Sequence, residues 1–389
     1  MNKPIHILII PSWYPHTTGD IGGSFFREQA HALRKAGNKV GVIYPQVKSI
    51  KDIKRVCLQP HGREYINDNG LHTYKFHYLA IPKLHRIQRK RWVSHGLKLF
   101  ENYTAKFGIP DIIHVHSLKP AGYLALEIKN KYQIPYVVTE HSTAFARGLI
   151  QENEIKNLEK IVSAADYNIA VSEPFSNLLN SFFGLETWNY IPNIVNNDFL
   201  NANIEEPKET FKYLSISLLT EKKAVDNLIT AFSDITNKIP NAVLHIGGDG
   251  LEKVNLQKLV SELNLESKVV FLGSLSRERV KLEMANSSVF VLPSRYETFG
   301  VVLVEALALG KPVIATKCGG PESIVNEKVG KLVKVDDISE LSKAMLDTYL
   351  SYNKYNSNDI REYCIDNFSE EAVTSKLGNV YQSVLSGSN

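Results

Sequence analysis

Cysteine is scarce in this 389-residue sequence, which contains only Cys57, Cys318 and Cys364. The three are far apart in the chain and odd in number, so the sequence predicts neither a disulfide framework nor a cysteine-rich zinc site. Scattered free thiols are typical of proteins from a reducing compartment. We therefore expect a cytoplasmic protein.

Long apolar runs are also missing from the sequence. No run reaches the roughly 18 residues that a transmembrane helix requires. The opening MNKPIHILII lacks the flanks of a signal peptide and predicts a buried first strand instead. Hydrophobic residues at 43% and charged residues at 22% are typical of a soluble globular protein.

The signatures of several enzyme classes are absent. The sequence contains no G-x-G-x-x-G dinucleotide fingerprint, no P-loop and no G-x-S-x-G nucleophile turn. It also has no D-x-D motif, so we expect no metal ion and no resident cofactor. The net charge of +4 is modest and no recognition motif accompanies it, so a nucleic-acid partner is not expected either.

The length and the order of predicted elements indicate two domains. Strand and helix patterns alternate from residue 5 to about 173, and they alternate again from residue 211 onward. A passage rich in Pro, Asn and Glu near residue 190 separates the two series. We predict an α/β protein with two Rossmann-like doubly wound domains facing across a cleft, at 1–195 and 196–368. A closing helix at 369–386 is expected to cross back onto the first domain.

Positive charge is concentrated in one part of the first domain. Residues 51–100 contain 11 Lys and Arg against 3 Asp and Glu. Within them, the stretch 82–100 combines basic side chains with large apolar ones: Lys83, Arg86, Arg89, Lys90, Arg91, Trp92, Leu97 and Phe100. Such a stretch is typical of peripheral contact with an anionic membrane, and equally of a solvated helix face.

Two glutamates eight positions apart stand out in the segment PSRYETFGVVLVEALALGKPVIAT (293–316). Glu297 follows a predicted strand, and Glu305 lies within a predicted helix. A helical spacing of eight residues is about 12 Å, which exceeds the separation in most glycosidase carboxylate pairs. The pattern favours one long ligand held at two points. Between the two acids, the N–H groups of a helix N-terminus suit a phosphate; they belong to Phe299, Gly300 and Val301.

Other candidates follow predicted strands of both domains. Three glycines lie between the first strand and the first helix: Gly19, Gly22 and Gly23. They either let a ligand approach the backbone or form a plain surface loop. Gly248 and Gly250 form a similar but weaker pattern. Histidines at strand ends are commoner in cores than as metal ligands: His114, His116 and His141. Among them His141 is the best placed to touch a polar substrate, while Lys222 and Lys223 either face the same ligand or form a solvated pair.

Together these segments resemble glycosyltransferase family 4, the retaining enzymes of the GT-B fold. The segment 293–316 resembles that family's E-x7-E signature, and EHSTAF (140–145), IPN (191–193), GGDG (247–250) and FLG (271–273) extend the resemblance along the chain. The start, PSWYP followed by GGSFFREQAHAL, is similar to bacterial members that build surface polysaccharides and lipopolysaccharides. The resemblance implies a metal-independent hexosyltransferase with a UDP- or GDP-linked sugar as donor. It implies a glycan or lipid-linked acceptor. The basic first domain favours an amphiphilic acceptor held in the inner membrane at its cytoplasmic face.

The resemblance also implies roles for individual residues. Glu297 would hold hydroxyls of the donor sugar and Glu305 the ribose, while Lys223 would neutralise the departing diphosphate, with Lys222 beside it. His141 would be the third catalytic residue beside Glu297 and Lys223, and would close over the sugar and phosphates. Further donor contacts would come from Gly22, Gly23, Gly248, Phe299, Gly300 and Val301.

Two positions depart from the family pattern. Leu218 stands where an arginine commonly assists the diphosphate, and Ala224 replaces a glycine. Losing a hydrogen bond to a charged group costs about 1.5–3 kcal/mol, so donor binding is expected to be weaker unless Lys222 substitutes. Two other functions stay open at this point: a nucleotide-sugar epimerase of the GT-B fold, and a non-catalytic membrane-associated scaffold with a vestigial nucleotide site.

Overall fold

A computed structural model describes residues 3–16, 20, 22–49, 61–81, 84–203 and 210–387 of the chain. The predicted positions Gly19, Cys57 and Lys83 lie outside these residues, as do residues 204–209 of the predicted linker.

The chain forms two compact units. The first comprises Met1–Ala170, Leu179–Ile191 and Val373–Asn389, and the second comprises Val171–Leu178 and Pro192–Ala372. The predicted first domain, 1–195, also included Val171–Leu178 and residues 192–195, which belong to the second unit in this division. In the segment Val171–Leu178, Ser172 Oγ donates a hydrogen bond to the carbonyl oxygen of Gly319 (2.8 Å).

An eight-stranded sheet forms the centre of the first unit, in the order β3-β4-β2-β1-β5-β6-β7-β8. Its strands are β1 (His6–Pro11), β2 (Lys39–Lys48), β3 (Gly62–Asp68), β4 (Leu71–Leu79), β5 (Ile112–His116), β6 (Tyr136–Glu140), β7 (Tyr167–Ala170) and β8 (Trp188–Tyr190). All neighbouring pairs are parallel except β3 and β4, which form an antiparallel hairpin at the edge. This hairpin was not predicted.

A six-stranded parallel sheet forms the centre of the second unit, in the order β11-β10-β9-β12-β13-β14. Its strands are β9 (Phe211–Ile216), β10 (Ala242–Gly247), β11 (Val269–Gly273), β12 (Val289–Leu292), β13 (Val313–Thr316) and β14 (Gly330–Val333). Continuous apolar strands such as β12 and β13 are expected here, because both faces of a parallel sheet are covered.

Helices connect the strands of both sheets. They are α1 (Ser24–Lys35), α2 (His85–Phe107), α3 (Tyr123–Tyr132), α4 (Glu152–Ala164), α5 (Glu173–Phe183), α6 (Asn197–Leu200), α7 (Val225–Ser233), α8 (Lys253–Glu262), α9 (Arg277–Ala285), α10 (Val301–Ala308), α11 (Ile338–Leu350), α12 (Ser357–Phe368) and α13 (Glu370–Ser386). None of those in the described ranges combines the length and apolar character that a membrane crossing demands.

The closing helix α13 packs with the first unit from Val373 onward. Its Tyr381 is fully buried and its hydroxyl lies 2.7 Å from Nδ1 of His114 on β5. The other ring nitrogen of His114 lies 2.8 Å from Oγ1 of Thr139 on β6. A buried hydrogen-bond chain therefore connects α13 to two central strands.

Part of the basic stretch 82–100, which was predicted to lie on the surface, is buried. In α2, the side chains of Trp92 and Phe100 are buried in the core of the first unit. The exposed apolar residues are instead Leu84 and Ile87, which are 47% and 46% exposed. Arg86 and Lys90 are exposed near them.

Candidate functional site

The strand order of the second unit brings two predicted site segments to one sheet edge. Strands β9 and β12 are neighbours although they are not consecutive in the chain, so the sheet reverses its winding between them. Ligands of doubly wound sheets bind beyond the carboxyl ends of strands at such a reversal. Here β9 leads into the turn Glu221–Lys223, which we call the lysine turn, and β12 leads into the loop that carries Glu297.

Lys223 and Glu297 form an ion pair at this edge. The ammonium Nζ of Lys223 lies 2.5 Å from Oε1 of Glu297, and the two side chains are 16% and 12% exposed. Ser294 Oγ donates a second hydrogen bond to the same carboxylate oxygen (2.8 Å). An acid and a base that are 74 positions apart in the sequence are thereby held as one largely buried polar pair.

The start of α10 follows directly after this pair. Gly300, the residue before the helix, has φ 108°, a conformation that side-chain-bearing residues rarely adopt. The first N–H groups of a helix have no acceptor within the helix, so they remain available to an anion. Phe299 is buried, and an added Cβ on Gly320 would collide with its backbone. The loop after β13 therefore packs tightly on the start of α10.

Glu305 is held by an arginine from another helix. Its carboxylate is 1% exposed and accepts a hydrogen bond from Nη1 of Arg277 (2.7 Å). The guanidinium of Arg277 in turn lies over the ring of Phe199, 4.9 Å from the ring centre. The charge inside the apolar helix α10 is thus compensated, and the carboxylate has a defined orientation.

The two departures from the family pattern lie at either side of the lysine turn. Ala224 ends the turn with φ 47°, in the left-handed region where the family has glycine, and its methyl group is fully buried. Leu218 is 62% exposed, so no buried contact replaces the missing arginine at that position. Lys222 lies in the turn itself, half-buried.

Gly248 has a packing role that is independent of its predicted contact with the donor. Its backbone has φ 123°, and an added Cβ would collide with the carbonyl oxygen of Ser217. Its N–H donates to the carbonyl oxygen of Gly273 (2.7 Å). The glycine therefore lets two loops at the sheet edge approach each other, and its contact with a donor stays a prediction.

Cys318 lies near Glu297 but is unsuited to nucleophilic chemistry. Burial raises the pKa of its thiol to about 12, and the carboxylates of Glu297 and Glu322 act in the same direction. A thiol in this state stays protonated at neutral pH.

In the first unit, His141 lies in a buried aromatic cluster. Its Nε2 is 3.1 Å from Nδ1 of His116, and the rings of Phe25 and Phe26 lie 5.2 and 4.9 Å from its ring centre. Burial lowers the pKa of His141 well below its usual value. A neutral imidazole can exchange hydrogen bonds with a polar substrate, but it supplies no positive charge.

Glu140 and Gly23 have local structural roles in the first unit. The buried carboxylate of Glu140 accepts hydrogen bonds from the N–H groups of Leu118, His141 and Ser142 at 2.7–2.8 Å. Gly23 precedes α1 with φ 80° and packs on Trp13, whereas an added Cβ on Gly22 would meet open space. No cluster of three or more metal-ligating side chains occurs in the described part of the chain.

The buried histidines predict how the stability of the first unit depends on pH. Burial lowers the pKa of His114 to about 3 in the folded state, against 6.5 for an unperturbed histidine. Between these values the unfolded chain binds more protons, so the free energy of unfolding falls as the pH drops below about 6.5. We expect His114→Gln to reduce this slope by up to about 1.4 kcal/mol per pH unit, a value approached near pH 5, where the unfolded histidine is almost fully protonated.

Urea unfolding at pH 5.0–6.5, followed by tryptophan fluorescence, measures this slope selectively. All three tryptophans lie in the first unit: Trp13, Trp92 and Trp188. Equal slopes for the wild type and His114→Gln would contradict the assignment of proton uptake to His114.

Three residues that contact the candidate site residues of the second unit were not predicted from the sequence. Ser294 and Arg295 stand inside the 293–316 segment, so their position offered a signal. Arg277 lies 28 positions before Glu305 and had no local signal, because only the packing of α9 on α10 brings the two together.

Comparison with known proteins agrees with this architecture. The family model for "Glycosyltransferase Family 4" matches residues 22–199, and that for "Glycosyl transferases group 1" matches residues 196–365. An uncharacterized glycosyltransferase of Methanocaldococcus jannaschii is 30% identical over 338 residues, which are 85% of this chain and 85% of the relative. The putative teichuronic acid biosynthesis glycosyltransferase TuaC of Bacillus subtilis is 27% identical over 355 residues, or 87% and 88% of the two chains.

A solved structure shows the same fold over the full length. Sucrose-phosphate synthase from Thermosynechococcus elongatus superimposes with a TM-score of 0.76 at 21% sequence identity, covering 98% of this chain and 100% of that one. The predicted fold class, GT-B with two Rossmann-like α/β domains, is confirmed.

Proposed function

Because the chain belongs to glycosyltransferase family 4, we propose that this enzyme transfers a sugar from a nucleotide-sugar donor to a glycan or lipid-linked acceptor, with retention of the anomeric configuration. The donor nucleotide is UDP or GDP. The product is a surface polysaccharide or lipopolysaccharide precursor.

One observation carries this proposal: the contact between Lys223 and Glu297 beside the start of α10. The ammonium and the helix N–H groups offer positive charge for a diphosphate. The carboxylate, held by Ser294, offers acceptors for sugar hydroxyls. A neutral sugar attached to an anionic diphosphate needs both kinds of group next to each other.

The chemistry follows from these charges. The acceptor hydroxyl attacks the anomeric carbon on the face from which the diphosphate departs, and the bond from that carbon to the phosphate oxygen breaks. The departing oxygen takes the proton of the acceptor hydroxyl, and Lys223 with the N–H groups of α10 stabilises the developing negative charge. The site residues thus supply the charge for the reaction without a metal ion.

The acceptor is proposed from a relative and from the surface of α2. The B. subtilis relative is named for teichuronic acid biosynthesis, which is a surface-polysaccharide role. The exposed Leu84 and Ile87 lie beside Arg86 and Lys90. Apolar side chains among basic ones favour an anionic membrane surface, where a lipid-linked acceptor is held at the cytoplasmic face.

Vesicle binding tests the membrane contact. We expect the protein to sediment with vesicles that contain about one-third anionic lipid. Arg86→Glu with Lys90→Glu should weaken this binding about 30-fold or more, since each basic residue contributes about 1 kcal/mol. The same two charge reversals at Lys258 and Lys268 on the second unit serve as the matched control. Equal loss in both double variants would indicate nonspecific charge attraction and contradict a docking role for α2.

The decisive test of the function is a panel of nucleotide sugars. Thermal stabilisation of the protein and slow donor hydrolysis are measured with each donor in turn. Stabilisation by one donor, with transfer only when an acceptor is added, is the expected result. Conversion of the donor to another sugar nucleotide without an acceptor would support an epimerase, and a folded protein that no donor stabilises would support a non-catalytic scaffold.

A further inference from the structure

Arg295 lies two residues before Glu297 and connects the two halves of the site in the second unit. Its backbone N–H donates to the carbonyl oxygen of Lys222 (2.8 Å), and its Nη1 donates to that of Glu221 (2.6 Å). Both contacts reach the lysine turn. The residue therefore attaches the turn after β9 to the loop after β12.

The remaining nitrogens of the guanidinium are also engaged. Nε donates to Oδ1 of Asp336 (2.7 Å), which also accepts a hydrogen bond from Asn227, and Nη2 lies 3.6 Å from Oδ2 of Asp226. These acids neutralise the charge of Arg295. The guanidinium is consequently a structural bridge with little capacity left for a phosphate, so it does not replace the arginine that is missing at Leu218.

The lysine turn is also held by the ion pair of Lys223 with Glu297 and by its own backbone hydrogen bonds. Glu221 is exposed and Lys222 and Lys223 are partly buried, and the turn ends at Ala224 in a left-handed conformation that is unfavourable for alanine. Its local hydrogen bonds join Lys223 to Thr220 and Ala224 to Glu221, all within the turn or directly beside it. The bonds from Arg295 anchor it to the loop that carries Glu297.

We propose that Arg295 is a positioning residue, which holds the lysine turn so that the ammonium of Lys223 stays against Glu297 and in line with the departing diphosphate. This inference rests on the proposed function for its catalytic consequence, but not for the placement of Lys223. Correct placement of one charge affects the transition state more than ground-state binding, because the negative charge on the leaving oxygen grows as the bond breaks.

Chemical labelling tests the placement without any substrate. In Arg295→Met the lysine turn loses its side-chain anchor at the carbonyl oxygen of Glu221 and keeps only the backbone hydrogen bond from residue 295 to Lys222. We expect acetic anhydride to modify Lys223 about tenfold faster than in the wild type, as read by mass spectrometry. Arg295→Lys, which can still donate to Glu221 or Asp336, should restore part of the protection. Lys129→Met is the matched control, since Lys129 likewise joins a carbonyl and a carboxylate (Ala164 and Asp166) but lies in the first unit. Unchanged labelling of Lys223 in Arg295→Met would overturn the inference.

Kinetics then tests the catalytic consequence with the donor identified by the panel. For Arg295→Met we expect kcat to fall about 30-fold while the donor KM changes less than threefold, with Lys129→Met near wild type. A purely structural role would lower activity only in proportion to the folded fraction, in both variants alike, and would contradict the inference. Faster labelling in a protein that binds no nucleotide sugar would uphold the placement and refute the proposed function instead.

Discussion

Glu297→Gln is expected to lower kcat by about 100-fold or more while the protein stays folded. The substitution keeps the shape of the side chain and its contact with Ser294, but it removes the negative charge that faces Lys223 at 2.5 Å. Loss of a group that acts mainly in the transition state typically costs a factor of 10²–10³. Initial rates across a range of donor concentrations separate kcat from KM.

Glu305→Gln is expected to affect donor binding, in contrast to the effect of Glu297→Gln on kcat. Its carboxylate orients toward Arg277 and is proposed to bind the ribose, so its loss should raise the donor KM more than it lowers kcat. Glu283→Gln is the matched control, because Glu283 is an equally buried acid that pairs with Arg279 (2.6 Å) outside the proposed site. Equal effects of all three substitutions would mean that only the loss of a buried charge matters, and the assignment of Glu297 would be wrong.

Gly248→Ala is expected to destabilise the second unit by about 3 kcal/mol or more, whatever its effect on donor binding. The added Cβ would collide with the backbone of Ser217, and φ 123° is unfavourable for alanine. A backbone atom cannot rotate away as a side chain can, so the strands β9 and β10 must shift at their carboxyl ends. Calorimetry measures this loss, since the tryptophans report only on the first unit.

Gly273→Ala is the control that separates the steric part of that loss from the penalty for a positive φ. Gly273 also has a positive φ (69°), but an added Cβ there would meet no atom within 4 Å. We expect it to cost only about 1 kcal/mol, the penalty for a left-handed alanine. If both substitutions had the same small effect and only Gly248→Ala weakened donor binding, the glycine would be a ligand contact rather than a packing position.

The alternation of strands and helices was predictable because the apolar patterns are local. Continuous runs such as IHILIIP mark parallel strands that are covered on both faces, and glycine at Gly310 ends α10 as expected.

The edge hairpin β3–β4 was missed, since its strands alternate polar and apolar residues and add an antiparallel pair to a sheet that otherwise reads as parallel. The burial of Trp92 was also missed, because a basic stretch does not reveal which of its apolar residues face the core.

The sequence by itself determined the class of this protein: two α/β units, and a glutamate pair whose spacing indicates a long ligand held at two points. Those features depend on neighbouring residues along the chain. Only the tertiary structure decided that Lys223 contacts Glu297, that Arg277 orients Glu305 and that Arg295 anchors the lysine turn. These contacts join residues 28 to 74 positions apart. The contacts of the lysine turn arise because β9 and β12 become neighbours where the sheet reverses its winding, and the Arg277–Glu305 pair arises because α9 packs on α10. No local pattern encodes either arrangement.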